Sequence, residues 1–221
     1  MNLVWSLVKK ELRIEVRAKD SLLSMVIFGV SIILLFSFAF PINSQMTHNN
    51  LPGLVWITIL FIFSIGLFRN FSREKEWGGM NMMLAAPLDR GQIFLAKLFT
   101  FILFLLIADV VLIMFFSLFM NFPGAAYLQF WGLTLLVNWA LSSIGVLASG
   151  IGFKSKMGEV LTSLLLFPFA VPVLIGAVRS TASIMDGNAL TDYGNWIMII
   201  FTFAVSFTLA GVVLYDQILE D

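Results

Sequence analysis

Charge is scarce in this chain and cysteine is absent. Of 221 residues, 13 are Lys or Arg and 13 are Asp or Glu, so charged residues make up 12% and the formal net charge is zero. A neutral chain this poor in basic residues carries no electrostatic footprint for nucleic acid. Without cysteine there is no disulfide, no thiolate metal site and no cysteine nucleophile. One histidine, His48, is too few for a two-histidine zinc motif or a Cys/His pair within the chain. No stretch reads Gly-x-x-x-x-Gly-Lys-Ser/Thr, so the backbone cradle and lysine that hold nucleotide phosphates are missing; any use of ATP falls to another subunit. Serines are plentiful, but no general base and oxyanion arrangement of a serine hydrolase can be picked out, and serines in apolar helices more often bond helix carbonyls.

What the chain has instead is apolar length. Hydrophobic residues are 60% of it and mean hydropathy is +0.98, far above what a water-soluble domain displays. The runs are too long and continuous for alternating barrel strands, and lipid leaves helices as the other way to satisfy backbone polar groups. The expected fold is therefore an all-α integral membrane protein forming one transmembrane domain over 1–221. Six spans are drawn at 22–40, 54–68, 93–120, 127–151, 160–178 and 196–215.

Twelve of the thirteen basic residues fall in three stretches. Lys9, Lys10, Arg13, Arg17 and Lys19 precede the first span; Arg69, Arg73, Lys75, Arg90 and Lys97 surround the second-to-third connection; Lys154 and Lys156 separate spans four and five. Six crossings put all three on one side, which the positive-inside rule makes cytoplasmic together with both termini. The amino-terminal segment lacks the apolar core and cleavage site of a signal peptide and is expected to belong to the mature protein.

Residues 1–20 read as an interfacial helix. Trp5, Val8, Leu12 and Val16 share one side at helical spacing while Lys10, Arg13 and Arg17 cluster on another, although Leu3, Leu7 and Ile14 lie off the stripe. The plain alternative is an ordinary basic flank. The cytoplasmic stretch 69–92 is the richest polar segment: Arg73-Glu74-Lys75-Glu76-Trp77, a break at Gly78-Gly79, exposed Met and Leu, then Asp89 placed as N-cap with Gln92 at N3, as in a capping box. It has the composition of a docking surface, against the alternative of a solvated loop. On the other side, 179–195 is expected to be an external loop, with Asp186-Gly187-Asn188 and Asp192-Tyr193-Gly194 as turn signals.

Three further features carry chemistry. Pro168 and Pro172, four residues apart in span five, each remove a backbone donor and mark a hinge or the border of a pathway, or else only shape packing. Asp109 is the one charge well inside an apolar span, costing on the order of 3 kcal/mol at the bilayer centre, so it should face helices or water. Lying about 25 Å of helix rise beyond Gln92, it reaches a depth near Arg179, and the two are a candidate intramembrane pair. His48 and Met46, in an external loop at 43–50, have side chains able to ligate haem iron, but a lone loop histidine is usually just solvated.

Taken with the Lys10-Glu11-Leu12-Arg13 start, Pro52-Gly53-Leu54-Val55-Trp56, Phe71-Ser72-Arg73-Glu74-Lys75-Glu76, Ala96-Lys97 and Phe167-Pro168-Phe169-Ala170-Val171-Pro172, this plan resembles the type-2 family of ABC transporter membrane subunits. Within it, the chain is most similar to the CcmB family of haem exporter permease subunits of cytochrome c maturation. The likeness covers essentially the whole chain and implies an ABC-2, type V exporter-like fold in the bacterial inner membrane. It implies an ATPase subunit CcmA, the partners CcmC and CcmD, the haem chaperone CcmE and a second copy of the chain. Haem would be cargo, ATP would sit on the partner ATPase, and no resident metal or cofactor is expected. Arg73, Glu74, Lys75, Glu76 and Trp77 would couple to the ATPase. The alternatives are a permease of the same plan for a lipid, glycan or drug, a membrane scaffold without a transport path and, more remotely, an intramembrane enzyme.

Overall fold

The computed structural model describes residues 8–9, 20–40, 45–76, 89–153, 155 and 157–220. Six long helices follow one another: α1 (Asp20–Ala39), α2 (Gln45–Glu76), α3 (Arg90–Met120), α4 (Leu128–Phe153), α5 (Gly158–Met185) and α6 (Leu190–Glu220). All six are long and apolar enough to cross a membrane, and among the described residues there is no strand. The expected all-α, six-span fold is thus observed.

α4 occupies the centre, in contact with α2, α3, α5 and α6. Its residues 140–148 are buried all round, which its small side chains Ala140, Ser142, Ser143, Gly145 and Ala148 make possible, because they let neighbouring helices approach closely. α1 and α6 lie outermost: only 17% of each apolar span is buried inside the chain, against 72% for α4. α1 packs on α2 and α3. At the external end Trp56, Phe122 and Phe130 form a continuous aromatic cluster that ties α2 to the α3–α4 turn, with ring centroids 6.1 and 5.2 Å apart. That turn leaves α3 through Asn121 in the left-handed conformation (φ 52°) and passes through a short 3-10 turn at Pro123–Ala126.

Two boundaries differ from expectation. α2 runs well beyond 54–68 at both ends, absorbing Gln45 to Asn50 of the expected external loop and residues 69–76 of the cytoplasmic stretch. The 179–195 loop contracts to four residues between α5 and α6. Asp192 is no turn residue: in the first turn of α6 its carboxylate accepts the Ala189 N–H at 3.1 Å, while Tyr193 is buried at 1% exposure. Gly187, at φ 73°, makes the one sharp reversal there.

Asp89 caps α3 as expected, its Oδ1 accepting the Gly91 N–H at 3.0 Å, so the bond falls on N2 and not on N3. α5 stays helical through Pro168 and Pro172. Of the interfacial-helix residues, Trp5, Lys10, Arg13 and Arg17 lie outside the described residues; in that segment Val8 and Lys9 are helical, with Val8 buried and Lys9 exposed.

Candidate functional site

At its cytoplasmic end α2 is tied to its neighbours by both apolar and polar contacts. Leu67 and Phe71 turn inward while Arg69, Ser72 and Arg73 face outward at least in part, so the apolar face continues one turn past the span. Phe71 meets Phe153 of α4 edge to face at 5.9 Å. Beneath it the α4–α5 turn is drawn tight by Gly152 and Gly158, since a Cβ on Gly158 would collide with the Gly152 carbonyl oxygen. Two polar bonds then clamp the extension. Ser72 Oγ donates to Glu159 Oε1 of α5 at 2.6 Å, and Arg73 Nη2 donates to Ser21 Oγ of α1 at 2.6 Å.

The consequence is mechanical. An α-helix transmits displacement along its axis, and α2 is cross-linked here to the starts of α1 and α5. A force on 73–76 would therefore move three helices together. Of the expected coupling residues, Arg73 belongs to this clamp, Glu74, Lys75 and Glu76 continue the helix, and Trp77 lies outside the described residues. A second cytoplasmic tie joins α3 to α6. Arg90 Nε lies 3.5 Å from Asp216 Oδ1, and its Nη1 donates to the Asp216 carbonyl at 2.8 Å.

Inside the membrane the structure corrects the expected Asp109–Arg179 pair. Asp109 is fully buried, and its Oδ2 accepts a hydrogen bond from Asn138 Nδ2 at 2.7 Å. Arg179 is exposed on α5, at the rim of a groove between α2 and α5. Helix rise set the depth of Asp109 but not the face it presents; α3 turns it toward α4. Asn138 escaped the sequence reading, although a signal existed. Asp109 stands eleven residues before the end of α3 and Asn138 ten residues after the start of α4, so across a tight hairpin both lie about 15 Å from the turn. Pro168 is exposed and Pro172 half-buried, so neither lines an enclosed path within this one chain.

Other polar links were also missed. Trp56 Nε1 donates to Thr181 Oγ1 at 2.8 Å, fixing α2 against α5, and Trp139 Nε1 donates to Thr208 Oγ1 at 3.0 Å between α4 and α6. Neither threonine stands out in sequence, because a hydroxyl in an apolar helix usually bonds back to its own helix.

Residues 2–214 match the family model described as CcmB protein. The chain is 26% identical over 202 residues to Heme exporter protein B of Pseudomonas aeruginosa, covering 91% of each protein. It is 28% identical over 189 residues to Heme exporter protein B of Paracoccus denitrificans, covering 82% of this chain and 84% of that one. With the protein of the same name from Rhodobacter capsulatus, identity is 24% over 185 residues.

Proposed function

The chain belongs to the CcmB protein family, and from that premise we infer that it is the permease subunit of a haem exporter serving cytochrome c maturation, a multi-pass protein of the bacterial inner membrane. The observation that carries this reading is the likeness to proteins named Heme exporter protein B, over 91% of the chain in one relative and 82% in another. The six-span plan is in accord with it.

ATP hydrolysis belongs to a separate subunit in this reading, since the sequence has no phosphate-binding loop. CcmA is the ATPase; CcmC, CcmD and the chaperone CcmE are the haem-handling partners, and a second copy of this chain completes a symmetric pair. The clamped end of α2 supports the mechanism. ATP-driven closure of the ATPase pushes on 73–76, and because α1 and α5 are bonded to that end, the push shifts the population of whole-bundle conformations and involves no chemistry in this chain.

Purification from native membranes, with identification of bound subunits and pigment, tests the reading. The expected result is co-purification of an ATPase and haem-handling partners, with haem pigment on the complex. An ATPase recovered without such partners and without haem would replace this reading with a permease for another cargo.

A further inference from the structure

On the external half of the molecule, α2 and α5 leave between them an open groove of about 540 Å³, lined by Gly53, Trp56, Ile57, Val171, Leu174, Ile175, Val178 and Arg179. Its volume lies within the roughly 300–1,000 Å³ common for small-molecule sites. Seven of the eight lining residues are apolar. The indole of Trp56 is fully buried behind the groove, its N–H committed to Thr181, and the exposed apolar surface comes from Ile57, Val171 and Ile175. At Gly53 the wall is missing, with nothing within 4 Å of where a Cβ would stand.

The eighth residue is the one Lys or Arg that the sequence places on the external side. Arg179 sits about 9 Å of helix rise from the outer end of α5, at the level where a long side chain reaches the headgroup region from an apolar groove. Among the described residues no acidic side chain lines the groove. Apolar walls ending in a single exposed guanidinium complement a molecule with a broad apolar body and carboxylates at one edge. A dicarboxylate tetrapyrrole has that form, and the relatives carry haem in their name.

We propose that the α2–α5 groove seats a dicarboxylate tetrapyrrole in the outer leaflet, its macrocycle against Ile57, Val171 and Ile175 and a propionate on Arg179. The assignment rests on the haem-exporter reading above. It adds a specific chemistry: the lining has no His, Met, Cys or Tyr, so recognition involves no iron ligation and depends on carboxylate and apolar shape alone.

The test is a fluorescence titration of the purified complex in lipid nanodiscs with metal-free protoporphyrin IX and with its dimethyl ester. In the free-acid titration, Arg179→Gln is expected to weaken binding roughly tenfold, about 1.4 kcal/mol. Arg179→Lys should recover part of this, and the ester should bind wild type and Arg179→Gln alike. Gly53→Phe, which fills open space and so leaves the helix able to fold, should weaken both probes. Equal binding of both probes by all variants overturns the assignment, as it would if a phospholipid or the second copy of the chain covered the groove. Haem export by the same wild-type complex reconstituted into sealed vesicles is read in parallel. Export with variant-independent binding removes the groove alone, whereas absence of export removes the haem-exporter reading itself.

Discussion

Asp109 of α3 and Asn138 of α4 meet in the membrane interior with Oδ2 and Nδ2 2.7 Å apart, both side chains wholly shielded by protein. The amide donor is what makes a carboxyl group tolerable there, because an acidic side chain inside a bilayer without a partner bears its full desolvation cost. Asn138→Leu is therefore expected to destabilise the chain by about 3 kcal/mol, as when one member of a buried pair is removed. The double variant Asp109→Leu/Asn138→Leu should regain most of that loss, since no polar group is left stranded. Thermal unfolding in detergent of the two singles and the double measures the coupling. It should exceed the roughly 0.6 kcal/mol average of polar pairs between membrane helices; strictly additive losses would show that the two residues do not support each other.

Arg179 should be indifferent to this pair. It is exposed at the rim of the α2–α5 groove, while Asp109 is enclosed between α3 and α4. Substitutions that share no partner add within about 0.5 kcal/mol. The exchange Asp109→Arg with Arg179→Asp is thus expected to be as defective in assembly as Asp109→Arg alone. Recovery of assembled protein in the exchange, scored by membrane level, would restore the direct pair.

The contrast between these two residues marks what sequence carries here. Six spans and their direction are written in hydropathy and in the clustering of Lys and Arg, both of which act on whole segments and need no partner. The ends of α2 are not, because the helix continues past Phe68 on contacts made far along the chain: Phe71 on Phe153, Ser72 on Glu159, Arg73 on Ser21. Likewise Asp192-Tyr193-Gly194 has the composition of a turn, and becomes helix because burial of Tyr193 and the Asp192 bond to Ala189 outweigh local preference. Depth along a helix follows from residue count; the face a side chain presents depends on which neighbour covers it. Arg73 was thus singled out by its sequence neighbourhood, whereas the residues it and Ser72 bond across the fold, Ser21 and Glu159, were not.

Gly211 sets how closely α6 can lie on α3. A Cβ there would fall within the ring of Phe94, itself fully buried and packed against Tyr215 with centroids 5.4 Å apart. Because the ring has nowhere to retreat, Gly211→Ala is expected to cost about 1–3 kcal/mol, the usual range for overpacking. Phe94→Leu in the same chain should return part of the loss. The unfolding midpoint of the purified chain reads both, and a Gly211→Ala variant as stable as wild type would mean the two helices part freely.

At the cytoplasmic surface Arg90 holds Asp216 twice, through the carboxylate at 3.5 Å and the backbone carbonyl at 2.8 Å. The carboxylate is 60% exposed, and an ion pair in such a setting contributes at most about 1 kcal/mol. Asp216→Asn should therefore change stability by less than about 0.5 kcal/mol, since the carbonyl acceptor survives it. Arg90→Ala removes both bonds and should cost more, about 1 kcal/mol. Equal effects of the two substitutions, measured by chemical or thermal unfolding, would assign the tie to the carboxylate alone.

The clamp at the end of α2 makes the strongest demand on function. If force enters at 73–76, then Arg73→Ala, which frees α2 from Ser21, and Ser72→Ala, which frees it from Glu159, should loosen transmission to α1 and α5 while leaving the ATPase attached. The pair of substitutions is expected to lower haem export several-fold more than it lowers ATP hydrolysis by the assembled complex. Glu159→Gln separates geometry from charge: the amide oxygen can still accept from Ser72 Oγ, so export should stay near wild type, whereas Glu159→Ala should behave like Ser72→Ala. The readout is the ratio of haem delivered to ATP consumed in reconstituted vesicles. A proportional fall in both would place these residues in holding the ATPase, and an unchanged ratio together with unchanged rates would show that the push travels by another element.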